Sequence, residues 1–384
     1  MATLDSSTRT TFLKEVKSAV TTRAALLVIG VLGLMIAFIT SYTGAFHHPK
    51  PTDVPLAVVA PAQVSGQLVE KLDRLAGSPL DPRPAPSERD ARRQINNRTI
   101  DAALIVDPRG STDRLLVASG GGASLSQAVE LVVTAAEKAQ KRTVRTVDVT
   151  PADGGDSRSL SSFYLVVGWC VGGYLCAAVL AISAGARPAN GHRAVIRLAA
   201  LALYAIAAGL AGAIIVGPVL GALPGSLCGL WGLGALIVFA VGAATLAFQG
   251  LLGIIGIGLA ILLIVVLGNP SAGGAYPYPL LPPFWRAIGP ALPPGAGTWV
   301  ARSIAYFRGN AVTGPLLVLS AWAAAGTLLT VALAMLRKTN GGETDGGETD
   351  GGETDGGDTS NGERDDGERG DGERNHGDGK QLPS

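Results

Sequence analysis

Few residues in this chain of 384 combine the type and spacing that chemistry needs. His47 and His48 are adjacent and of a metal-binding type, but neighbouring side chains in an extended segment point apart, so an interfacial pair is the better reading. Gly120 to Gly122 precede a helical pattern, as glycines do in phosphate cradles. The lysine of a G-x-x-x-x-G-K-[S/T] loop is missing, and a turn is expected instead. Beyond residue 339, "GGETD" occurs three times and is followed by "DGER" units. Their Asp and Gly lack the twelve-residue calcium loop and its terminal Glu. Cys170, Cys176 and Cys228 form no C-x-x-C pair, no H-E-x-x-H is present, and four histidines are too scattered for a Ser, His and acid cluster. No catalytic residue, cofactor-binding residue or metal ligand is expected, and the chain reads as a non-enzyme.

The elements that would position any site are apolar. Hydrophobic residues make up 47% of the chain and charged residues 16%, against about 25% charged in a typical soluble domain. From Leu198 through Trp285 no Asp, Glu, Lys, Arg or His occurs over 88 positions. Such a run marks a polytopic α-helical membrane protein, because ~30 Å of hydrocarbon is crossed by ~20 apolar helical residues. Six segments qualify: 24 to 44, 160 to 184, 198 to 219, 226 to 248, 250 to 268 and 313 to 336. Only Ala247 to Gly250 separates the fourth from the fifth. The first is too long for a signal peptide and is expected to be retained. None of the six contains Asp, Glu, Lys, Arg or His, which argues against an ion-coupled carrier. Gly168 and Gly172 stand at the four-residue spacing that lets helices approach, and Gly217 to Gly229 repeat it across an expected turn.

Lys and Arg near the span ends orient the spans, since cytoplasmic loops carry the excess. Arg9, Lys14, Lys17 and Arg23 precede the first span, Arg187, Arg193 and Arg197 lie in the loop "GARPANGHRAVIR", and Arg337 and Lys338 close the last span. With six spans these sets share one side, so both termini are expected to be cytoplasmic. Residues 1 to 23 form an N-terminal segment in which Phe12, Leu13, Val16 and Val20 give an amphipathic helix. Arg outnumbers Lys 23 to 8, a composition of GC-rich bacteria, which suggests a bacterial plasma membrane.

Two segments lie off the membrane. Residues 45 to 159 have an α/β pattern, with "VPLAVVA", "DAALIVD", "DRLLVAS" and "RTVRTVDV" as strands. "SERDARRQINNR" and "SLSQAVELVVTAAEKAQKR" are the helices, the second opening with Ser124 and Gln127 at capping-box spacing. Fifteen basic and 14 acidic residues there give no patch for nucleic acid. The stretch reads as an extracytoplasmic domain between the first and second spans. The tail, 339 to 384, has 14 acidic and 4 basic residues and no apolar stripe, so disorder is expected.

The proline-rich segment carries a family resemblance. "NPSAGG" (Asn269 to Gly274), "LLPPFWRAIGPALPPGAGTWVARS" (Leu280 to Ser303) and "YFRGN" (Tyr306 to Asn310) precede the last span. With one span, a large outer domain and five further spans, the chain resembles the permease subunit of type-2 ABC transporters, in the phage-infection-protein-like branch. The resemblance implies an exporter that moves a hydrophobic or amphipathic substrate outward, working as a homodimer or heterodimer with a separate ABC ATPase that binds the ATP. It implies an ATPase-coupling loop, here Arg187, His192, Arg193 and Arg197. It also implies a broken helical hairpin at the outer boundary, within 269 to 312 of the 160 to 338 transmembrane domain. Trp285, Trp299 and Tyr306 would then sit at the membrane interface, with Arg286 and Arg302 reaching lipid phosphates. The alternative is a surface receptor or secretion-system scaffold that uses the outer domain for binding.

Overall fold

The computed structural model describes residues 21–185 and 190–342. The expected amphipathic helix at Phe12 to Val20, Arg187, and the acidic tail from 343 lie outside the described residues. Helix α1 (Thr22–Phe46) opens where the Thr21 side chain accepts a hydrogen bond from the Ala24 amide at 3.2 Å, satisfying one of the amides a helix start leaves unpaired.

An α/β unit follows: β1 (Val54–Val59), α2 (Ala62–Asp73), β2 (Leu80–Pro84), α3 (Glu88–Asn96), β3 (Ala102–Ile105), β4 (Thr112–Val117), α4 (Ala123–Ala139) and β5 (Thr143–Asp148). The strands form one sheet in the order β2-β1-β3-β4-β5, antiparallel only between β3 and β4. Alternate residues serve opposite faces. Val54, Leu56, Leu104 and Leu115 pack with Leu72 of α2 and with Val129 and Val133 of α4. Ala57, Ala103 and Leu116 pack with Ala91 and Ile95 of α3, and with Phe307 from far along the chain. The four expected strands and two expected helices are all present; β2 and α2 were not anticipated. "LDPRP" gives no strand signal, and its two prolines fit because β2 is an edge strand. The expected capping box does not form: Gly122 precedes α4 without a side-chain cap, and Ser124 Oγ donates to the Ala275 carbonyl at 2.9 Å.

The remaining helices are α5 (Ser161–Ala184), α6 (Gly191–Ile214), α7 (Leu227–Leu252), α8 (Ile255–Ile261), α9 (Pro283–Ile288), α10 (Pro293–Tyr306) and α11 (Thr313–Gly342). Five helical stretches are long and apolar enough to cross a membrane: Ala24–Phe46, Ser161–Ala184, Gly191–Val219, Leu227–Leu252 and Thr313–Leu336. The chain is a multi-pass membrane protein. The segment expected as a fifth of six spans differs. There α8 passes into a widened π section, Leu262–Gly268, and a last turn, Asn269–Ser271, an apolar rod over Ile255–Ser271. A second π section, Ile215–Val219, extends α6. Each lies at a proline, Pro270 and Pro218, whose missing amide breaks the regular ladder. The turn before α8 falls at Gly253, φ 65°, so α7 runs four residues past the expected end at 248.

Of the glycines the spacing singled out, Gly225 meets backbone, a Cβ there lying 2.8 Å from the Ile304 carbonyl oxygen, and the tightest contacts between long helices use others. A Cβ at Gly173 would lie 2.7 Å from the Val238 carbonyl oxygen, and one at Gly209 2.5 Å from the Ala235 nitrogen, whereas one at Gly168 would meet nothing within 4 Å. Backbone meets backbone between α5 and α7 and between α6 and α7, the close approach that small residues permit. Trp169 fills the space over Gly212 and Gly234 and donates its indole N–H to the Ala208 carbonyl at 3.2 Å.

Candidate functional site

The proline-rich segment folds into a broken helical hairpin. Pro283 and Pro293 occupy the first turns of α9 and α10, where the absent amide would have had no partner. Gly289 and Gly295 allow the two arms to touch, since side chains there would strike the Ser271 and Gly289 carbonyls. Helix α10 is buried over most of its length, packing against α5, α7 and α11.

Its polar groups are spent inside the protein. Arg302, 3% exposed, donates to the carbonyls of Gly273 and Gly274, both at 2.6 Å, and of Ser159 at 2.9 Å. Arg286 donates to the Thr52 carbonyl at 3.0 Å and lies 3.7 Å from the Asp53 carboxylate. Both arginines thus donate to backbone carbonyls inside the protein, and the Nε of Arg302 is left without a partner. The rings expected at the interface also make internal ties. Trp285 N–H donates to Ser41 Oγ of α1 at 3.2 Å, Trp299 N–H to the Ala311 carbonyl at 2.9 Å, and Tyr306 O–H to Asp156 Oδ2 at 2.7 Å. Asp156 also accepts from the Ser161 amide at 2.8 Å, joining hairpin, α/β unit and the start of α5 at one carboxylate.

The α/β unit answers with Arg98, at the end of α3. Its guanidinium donates to the Trp299 carbonyl at 2.8 Å and Ser303 Oγ at 2.7 Å. Its central carbon lies 3.5 Å from the centroid of the Trp299 ring and 4.8 Å from that of Phe307, a cation held over aromatic faces. The glycine triplet finds its role here. Gly120 faces Tyr306 and Gly122 faces Pro277, each too close for a side chain, and Gly121 packs tightly on Phe307. The triplet seats the sheet on the hairpin.

Between the two surfaces lies a cavity of about 200 Å³ lined by Arg98, Asp101, Arg286, Arg302, Trp299 and the start of α4. Burial lowers Arg98 to about 9, reinforced by the positive charge of Arg302, and burial raises the Asp101 carboxyl to about 6. Arg98 and Asp101 carried no sequence signal. "NNRTID" reads as a solvated helix end, and nothing local shows that its arginine meets a tryptophan 201 positions away.

The expected coupling residues lie at the other end of α5, ~36 Å away for 24 residues at 1.5 Å each. The loop is shorter than the sequence suggested. Asn190 caps α6 by accepting from the Arg193 amide at 3.0 Å, so His192, Arg193 and Arg197 are helical. His192 and Arg193 are exposed. Arg197 is 5% exposed and donates to the Ala184 carbonyl at 2.5 Å, closing the turn from α5. It lies within the apolar helical stretch Gly191–Val219, one residue before the span start expected at 198. No family model matches the chain, and no curated protein or solved structure matches it.

Proposed function

We propose that the chain is the permease subunit of an ABC-type exporter in a bacterial plasma membrane. It has cytoplasmic termini, an outer α/β unit and a separate ATPase that supplies the energy. A second permease, identical or related, would complete the transporter. The observation that carries this reading is the hairpin: α10 is wedged between α5, α7 and α11 and tied through Arg302, Tyr306 and Arg98 to the α/β unit. A movement imposed at the exposed His192 and Arg193 end of the α5 and α6 pair would pass along α5 to Asp156 and the hairpin.

The rod Ile255–Ser271 is read as a sixth crossing. Seventeen helical residues rise ~25 Å, close to the hydrocarbon thickness. Its start touches the end of α7 at Phe248 and Gln249, and the Gly273 beside its end is held by Arg302. A lateral apolar cleft of about 730 Å³ between α5 and α6, bordered by Tyr164, Gly168, Gly172 and Tyr204, suits a hydrophobic or amphipathic substrate.

The test is isolation of the tagged full chain from its own host in mild detergent. An ABC ATPase should co-purify. A Gly/Ser replacement of residues 185–189 that keeps Asn190 should leave the protein in the membrane and release the ATPase. Purification without any ATPase, together with no ATP-dependent substrate movement in vesicles, would refute the permease reading and favour a receptor or scaffold.

A further inference from the structure

The cavity between the α/β unit and the hairpin holds more positive than negative charge. Three guanidinium groups line it, those of Arg98, Arg286 and Arg302, with one carboxylate, Asp101. Arg286 has Asp53 at 3.7 Å. Setting that pair aside leaves two cations, Arg98 and Arg302, with Asp101 as the one carboxylate on the cavity wall and the buried Asp156 carboxylate acting on Arg302 from beyond 4 Å. The partners of Arg98 and Arg302 are all neutral: carbonyls, a serine hydroxyl and aromatic faces. Among the described residues no carboxylate lies within 4 Å of either guanidinium. Arg302 is 3% exposed and its Nε has no partner. A buried guanidinium keeps its charge, so the carbonyl bonds offset part of the cost of taking it out of water, and an anion at the unpartnered Nε would offset more.

A second feature points the same way. The start of α4 lines the same cavity through Gly121, Gly122 and Ser126. Gly122 supplies no side-chain cap to this helix of 17 residues. The amides of Gly121, Gly122 and Ser126 are bonded within the chain, so what this helix start offers a negative group is the positive end of its dipole. Several guanidinium donors around a small space suit a tetrahedral oxyanion such as a phosphate group.

We propose that this cavity binds a phosphate group, held by Arg98 and Arg302 beside the start of α4, and that the bound group fastens the α/β unit to the hairpin. The site stands whether or not the chain transports. Its phosphate would come from a lipid headgroup or from free phosphate. Two arms separate these sources: thermal unfolding of the detergent-purified full chain with inorganic phosphate, and with a soluble short-chain phosphatidylglycerol, each against chloride at equal ionic strength. At least one should raise the unfolding temperature in a saturable way. A response to phosphatidylglycerol alone assigns a membrane headgroup, and a response to phosphate alone assigns the free anion. Arg98→Gln should weaken the effective ligand at least tenfold. Asp101→Asn removes the competing carboxylate and should tighten binding several-fold, a gain that damage to the fold would not produce. No saturable rise with either ligand, or wild-type affinity in both variants, would overturn the site.

Discussion

Arg302 shows how one side chain can replace a stretch of regular structure. The bends around Gly273 and Ser159 leave carbonyls without helical or strand partners, and a planar guanidinium with several diverging donors reaches three of them at once. Arg302→Lys keeps the charge but has one donor centre, so the fold should lose ~2–4 kcal/mol, by the worth of charged hydrogen bonds. Thermal unfolding in detergent measures this, with Arg308→Gln, at an exposed position, expected to be neutral. Arg98 is placed with equal care, since its φ of 58° is in the left-handed region, a conformation kept only where surrounding contacts enforce it. Glu137 offers a pH test away from the membrane. It is 1% exposed and beside the Asp113 and Arg142 pair, joined at 2.6 Å. Burial first and Asp113 second raise it from 4.5 to about 7. The folded chain thus holds a proton that the unfolded chain releases between those values. Its contribution is complete below 4.5 and falls as pH rises through about 7. Glu137→Gln should flatten that fall, leaving the protein more stable than wild type by on the order of 1–2 kcal/mol at pH ~8 and little changed at pH ~4.

At the scale of elements, the bundle is organised by where backbone meets backbone. Gly209 of α6 faces Ala235 and Gly234 of α7 so closely that a side chain has no room, while Gly168 of α5 faces open space. Gly209→Val should therefore disrupt the α6 and α7 contact, costing ~3 kcal/mol or more by overpacking, and Gly168→Val should be tolerated. Cross-linking or unfolding of both variants in the same detergent decides this. Gly168 would show an effect only if its open face were covered by a second chain. The two π sections mark where proline bends a helix without ending it. Pro218 lies beside the turn into α7, and Pro270 carries the rod into the hairpin.

For the whole molecule, the proposed topology puts the α/β unit and hairpin outside and the α5 and α6 turn inside. Asn97 and His192 are both exposed, so each can report its side. In a background with Cys170, Cys176 and Cys228 replaced by serine, Asn97→Cys should react with a membrane-impermeant maleimide in intact cells. His192→Cys should react only after the membrane is opened. Labelling of His192→Cys in intact cells would reverse the orientation and remove the proposed ATPase contact.

The sequence by itself determined what depends on local composition and period. Runs without charge gave the apolar helices, because hydrocarbon excludes unpaired charge wherever the helix packs. Alternation gave β1, β3, β4 and β5, and clustered prolines gave the breaks in a segment that only the family resemblance made a hairpin. β2 stayed hidden because an edge position, visible only in the assembled sheet, excuses its two prolines. The tertiary structure alone decided how polar groups in the hairpin are used. Arg286, Arg302, Trp285, Trp299 and Tyr306 are residue types that suit a lipid interface and an internal tie equally. Their internal ties are made to hydroxyl, carboxylate and carbonyl groups 12 to 244 positions away in sequence. The cavity is likewise beyond local reading, since Arg98 and Arg302 come from separate units and acquire their shared electrostatic demand only when the sheet settles on the hairpin.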